Sequence, residues 1–176
     1  MMKRILTIIV LLIAFAARTL AESGTAQQSI LLNLLPIIEI ANISGNNISL
    51  SFNTVSQYEN GLNTGKQVFK VRSNKGFMVS VSADAPTFSY SGTGTSEKAM
   101  PVDNTLFLSL VENSTKGEIA NGVHTDMPLS AIAKDILVNC SRGDEQSFAV
   151  NYKAKPDLSY PAGNYQVGII YTATQP

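Results

Sequence analysis

The feature that most constrains this chain is an apolar alternation with a period of two. Phe77, Val79, Val81 and Ala83 alternate with Met78, Ser80, Ser82 and Asp84. The rhythm returns at Ile48, Leu50 and Phe52 and again at Phe148, Val150, Tyr152 and Ala154. Successive side chains of a strand point to opposite faces, so each run has one dry and one wet face. That pattern predicts antiparallel sheets with solvated outer faces, not a parallel sheet covered by helices on both sides.

Turn chemistry separates these runs at short intervals, at Ser44-Gly45-Asn46-Asn47, Asn60-Gly61, Asn63-Thr64-Gly65, Ser73-Asn74-Lys75-Gly76, Asn121-Gly122 and Pro161-Ala162-Gly163-Asn164. Gln67 to Ala83 reads as a hairpin, with Phe69 and Val71 sharing an inner face with Phe77, Val79 and Val81. Two more strands follow at Thr87–Ser91 and Leu106–Val111, joined through the flexible polar run Gly92-Thr93-Gly94-Thr95-Ser96. Its GxG lacks the third glycine and following helix of a dinucleotide cradle. The final strand spans Tyr165 to Thr174, with Tyr165, Val167, Ile169, Tyr171 and Ala173 on one side, as a central or an edge strand.

Leu129, Ile132, Ala133, Ile136, Leu137 and Cys140 recur at three and four, which predicts a short helix over Pro128–Val138. A short strand followed by an irregular crossover fits the same residues. With about eight strands and one short helix, the expected fold is all-β, an immunoglobulin-like antiparallel β-sandwich.

The N-terminus fixes the compartment. Lys3 and Arg4 precede an uncharged run from Ile5 to Ala17, followed by small residues before Glu22 and before Gln27. That is an export signal, residues 1–26 with cleavage after Ala26 or alternatively Ala21, ahead of a single domain over 27–176. The product is secreted, periplasmic or on the cell surface. No cysteine lies near either cut to carry a lipid, and the apolar run Ile30 to Ile40 is too short for a membrane span and holds Asn33, Pro36 and Glu39.

The chain has thirteen basic and thirteen acidic residues, and Lys3, Arg4, Arg18 and Glu22 leave with the signal. Ten against twelve is no charge for binding nucleic acid or an anionic membrane. The one cysteine, Cys140, cannot form an internal disulfide and reads as a small buried hydrophobe beside Ile136, Leu137 and Val138, so stability must come from packing.

Catalytic chemistry is hard to assemble. His124 is the only histidine, which excludes a multi-imidazole zinc site. A serine nucleophile would need His124 and an acid such as Asp126, and no GxSxG turn accompanies them. No calcium loop occurs, and the chain has no tryptophan for a sugar-cleaving cleft. No catalytic residue, cofactor or metal is therefore assigned. Tyr58, Tyr90 and Tyr160 supply a smaller aromatic platform, which keeps a self-contained glycan- or ligand-binding module as the alternative function. Lys66, Lys70, Arg72 and Lys75 form a modest basic face that reads as solvated edge protection. Arg142-Gly143-Asp144 reads as turn chemistry rather than a receptor tripeptide, and the sequons at Asn42, Asn47, Asn113 and Asn139 match chance in a chain so rich in Asn, Ser and Thr.

Two features at the chain ends carry a resemblance. Ile30, Leu32, Leu34, Ile38 and Ile40 make a one-sided apolar arm, and Gly163-Asn164-Tyr165 opens the alternating strand that finishes the chain. In both respects the chain resembles bacterial chaperone-usher-type pilus subunits and related secreted, spore-coat-type immunoglobulin-like sandwiches. Paired cysteines are missing, and Gln175 stands where that pattern has a penultimate tyrosine. The resemblance implies a structural or adhesive surface protein whose fold is completed by the N-terminal arm of the next subunit. Its partners would be further copies of itself or a periplasmic chaperone, with a glycan as a further possibility. The acceptor would be an edge strand carrying Tyr165, Val167, Ile169 and Tyr171. The same residues also fit a plainer arrangement, in which Ile30 to Ile40 is the first strand of a complete sandwich.

Overall fold

The computed structural model describes residues 23–93 and 98–176. The expected export signal thus lies outside the described residues up to position 22, as does most of the Gly92–Ser96 loop. The chain divides into two units, residues 1–34 and 35–176. In the first, residues 23–34 carry no strand or helix.

The described strands all belong to the second unit: β1 (Ile38–Asn42), β2 (Leu62–Asn63), β3 (Gln67–Ser73), β4 (Phe77–Ala83), β5 (Ser89–Ser91), β6 (Leu106–Asn113), β7 (Glu118–Ile119), β8 (Met127–Pro128), β9 (Lys134–Cys140), β10 (Gly143–Ala154), β11 (Asn164–Gln166) and β12 (Ile169–Thr174). All their pairings are antiparallel, as the alternation predicts. The larger sheet has the order β1-β3-β10-β6-β8, with β2 on the end of β10. The second has the order β12-β4-β9-β7, and β11 pairs with β5 as a separate ribbon.

One core serves both sheets. Phe69, Val71, Leu108, Phe148 and Val150 of the larger sheet cluster with Phe77, Val79, Val81, Ile136 and Leu137 of the second. Burying a side chain of this size contributes about 1.5–3 kcal/mol. Packing on that scale supplies the stability that disulfides do not, and Cys140 lies in this core as a free, buried thiol.

The structure corrects four sequence expectations. Gln67 to Ala83 is not a hairpin, because β3 and β4 belong to different sheets and their apolar faces meet across the core. Their connection is tightened by Ser73, whose hydroxyl donates to the Lys75 carbonyl at 2.7 Å. Ile48 to Phe52 joins no strand, and of its apolar residues Leu50 and Phe52 are half-buried while Ile48 is exposed. The C-terminal alternation is divided, with β11 and β12 separated at Val167 and Gly168. There Gly168 donates its N–H to the Asp84 carboxylate and accepts from the Asp84 N–H, both at 2.9 Å.

The fourth correction concerns the helix. Residues 134–140 are β9, and Ile132 is 77% exposed. Register shifts between β4 and β9 leave Ile136 and Leu137 both buried, which imitates a helical period. Among the described residues the one helix is α1 (Val55–Asn60), opened by a capping box in which Thr54 and Gln57 exchange side-chain and backbone bonds. It ends at Gly61, whose φ of +78° suits glycine and where an added Cβ would lie 2.9 Å from the Ala154 carbonyl.

Candidate functional site: the edge between β1 and β12

β1 and β12 are the outermost strands of their two sheets and lie side by side. Among the described residues each pairs with a strand on one side only: β3 beside β1, and β4 beside β12. Ile38 and Ile40 on β1 and Ile169, Tyr171 and Ala173 on β12 are half-buried and pack against the core. The intervening residues Glu39, Ala41, Ile170 and Thr172 face outward. The lining is therefore apolar, and the free backbone groups of the two edges are its hydrogen-bonding capacity.

Tyr171 is the base of this edge. Its ring packs on Phe69 with centroids 4.1 Å apart, and Phe69 stacks on Phe148 at 5.1 Å. Its hydroxyl meets that of Tyr152 at 2.6 Å. Burial pushes the Tyr152 phenol up to about 12, partly opposed by the bond from Tyr171. Burial, reinforced by Tyr152, raises Tyr171 well above its ordinary value. Both stay protonated at neutral pH, so the pair works as a polar tether and not as a base.

Gln175 closes the end of the edge. Its side-chain amide donates to the Ile37 carbonyl and to the Ser73 hydroxyl oxygen, each at 2.8 Å, and joins the end of β12 to the start of β1. Lys75 adds a bond to the Pro176 carbonyl at 3.1 Å.

The sequence-predicted residues separate into groups. Ile38 and Ile40 lie on β1, paired in register with Ser73 and Val71 of the same chain. Ile30, Leu32 and Leu34 belong to no strand and are 78%, 78% and 84% exposed. Pro36, which has no N–H to give a ladder, falls between the two groups. Ile169 and Tyr171 line the edge, Val167 packs against the core just before it, and Tyr165 sits on β11, paired with Tyr90.

The other candidates resolve as follows. His124 is exposed, and the Asp126 carboxylate is taken by Lys153 at 2.8 Å. The basic face is largely neutralised, with Lys66 on Glu112, Lys70 on Glu145 and Arg72 near Glu39. Arg142-Gly143-Asp144 enters β10, where Gly143 pairs with Ser73. Among the described residues there is no group of metal-ligating side chains, and no helix is long and apolar enough to cross a membrane. Sequence reasoning missed Gln175 as a contact and α1 as the carrier of Tyr58. The spacing Thr54-x-x-Gln57 was the available signal for the helix.

No protein-family model matches this chain, and no curated protein matches it in sequence.

Proposed function

We propose that this is a non-enzymatic exported structural or adhesive protein of the bacterial surface. In this reading it is an immunoglobulin-like sandwich, of the kind found in pilus subunits, that assembles by strand addition. The acceptor is the edge between β1 and β12, and the donor is the arm of another copy, carrying Ile30, Leu32 and Leu34.

The observation that carries this reading is the pairing of two unfinished edges with an unfinished apolar segment in one chain. Burying each arm side chain in a neighbour's edge would contribute about 1.5–3 kcal/mol. Ordering the arm costs about 1–2 kcal/mol per residue, which backbone bonds to the free edges must help offset. That division of labour gives affinity through the main chain and register through the alternating side chains.

The geometry sets one condition on the mechanism. Cα atoms of β1 and β12 approach within 8 Å of each other, whereas a strand held between two others needs about 9.5 Å between its neighbours. An incoming arm must therefore part the two edges, and the Gln175 bonds to Ile37 and Ser73 resist the parting.

A synthetic peptide of residues 27–36 tests the reading by hydrogen exchange. Added to the full chain, it should slow exchange of amides on β12 and leave those of β6 unchanged. No slowing on β12 at peptide concentrations up to saturation of solubility would sink the proposal.

A further inference from the structure

At the far end of the strands from Gln175, a second feature assembles from segments distant in sequence. β10 begins at Gly143, opposite Ser73, and ends at Ala154, which pairs with Leu62 and Leu106. Eleven steps along β10 at about 3.3 Å each place that end roughly 36 Å from the end of the sheet where β1 starts. Just past Ala154 the surface sinks into a depression of about 480 Å³. Pockets that hold small ligands run from about 300 to 1,000 Å³.

Two aromatic rings from unrelated elements line it. Tyr58 comes from α1, and Tyr160 from the turn closed by its own N–H on the Asp157 carbonyl at 3.3 Å. The Tyr160 ring is also held from its surroundings, by Tyr165 at 6.4 Å and by the Lys98 ammonium 4.9 Å above it. Around the rings stand Glu59, Asn104, Lys155 and Asp157. Among the described residues the side chains of Glu59, Asn104 and Lys155 make no hydrogen bond or ion pair with one another or with other groups. Asp157 accepts from the Ser159 N–H at 2.7 Å, and the Ser159 hydroxyl together with this N–H holds its carboxyl below the usual carboxylate range, so it faces the depression as an anionic acceptor.

We propose that this depression binds a neutral oligosaccharide, with the rings of Tyr58 and Tyr160 under the apolar C–H faces of its sugars and the polar rim groups on its hydroxyls. Aromatic faces beside acceptors and donors match a pyranose, which is apolar on its faces and hydroxylated at its edge. Carboxylates are strong acceptors for hydroxyl donors, since charge-assisted bonds are about twice as strong as neutral ones. With Lys98 over the Tyr160 ring, two carboxylates and two ammonium groups flank the depression, so it carries no net charge to draw sialylated or uronic sugars. The site shares no residue with the β1/β12 edge, so it stands whether or not the chain assembles by strand addition.

The test is a binding screen of the full chain against fluorescently labelled oligosaccharides. A neutral set would contain glucose, mannose, galactose and N-acetylglucosamine oligomers, and an acidic set sialylated and uronic ones. At least one neutral oligomer should bind, and Tyr160→Ala and Asp157→Asn should each weaken it at least tenfold with an unchanged melting temperature. Tyr160→Phe, which keeps the ring, should stay within threefold of the parent. Binding confined to the acidic set, binding that survives both Tyr160→Ala and Asp157→Asn, or no binding to either set overturns the proposal.

Discussion

Tyr152 of β10 and Tyr171 of β12 meet hydroxyl to hydroxyl at 2.6 Å, one residue from each sheet. This bond crosses the core beside the edge that β12 leaves unpaired. Tyr152 is only 6% exposed, so neither water nor another side chain can readily replace its partner. The two phenols let a polar pair sit within a largely apolar core, and they hold the larger sheet to the terminal strand of the second.

Removing one hydroxyl should therefore cost more than removing both. Tyr171→Phe leaves the Tyr152 hydroxyl buried and unsatisfied, a loss of about 1–3 kcal/mol. Tyr152→Phe should cost a similar amount, while the double variant should recover much of the loss because no polar group is then orphaned. Urea denaturation of the four proteins measures the coupling directly. Strictly additive losses would show that the bond does not form.

Alkaline pH should weaken the fold through the same pair. A phenol whose folded pKa lies above its unfolded value favours the native state below the unfolded pKa, and that stability is lost as pH rises through the folded one. For Tyr152 the window runs from the ordinary value of 10.0 to about 12. A shift of that size corresponds to a few kcal/mol at most, on the order of 3. Stability measured by urea should fall across that window, and the Tyr152→Phe/Tyr171→Phe variant should fall less steeply. Equal slopes in parent and variant would contradict the assignment.

The amino-acid pattern states which face of a strand is dry, and much of the fold follows from that alone. Phe77, Val79 and Val81, with Phe148 and Val150, are core residues as their period predicts. Alternation carries no statement of partner, and β3 and β4 consequently looked like a hairpin although each pairs elsewhere. Bulges hid β9, because an extra residue puts neighbours such as Ile136 and Leu137 on one side. At the candidate edge, Ile38, Ile40, Ile169 and Tyr171 were legible as apolar alternation. The division of Ile30–Leu34 from β1, and the contact from Gln175 to Ile37, depend on tertiary position that no local pattern encodes.

Gln175→Ala offers a test of how the edge is held. It removes the two short bonds of a part-exposed amide, to Ile37 and Ser73, and a longer one to Asn74 at 3.5 Å; the net worth of each short bond is about 0.5–1.5 kcal/mol. The melting temperature should drop by a few degrees, and β1 amides should exchange faster than in the parent. If parting of β1 from β12 precedes strand addition, the variant should also take up the residue 27–36 peptide faster. Uptake at the parent rate, with faster β1 exchange confirmed, would separate opening of the edge from addition.

Sedimentation of the full chain across a range of concentrations tests the central claim most directly. The parent should form concentration-dependent oligomers, and a variant with Ile30, Leu32 and Leu34 each replaced by Asp should sediment as a monomer with an unchanged melting temperature. A parent that stays monomeric throughout, or a triple variant that assembles like the parent, would contradict strand addition through the arm.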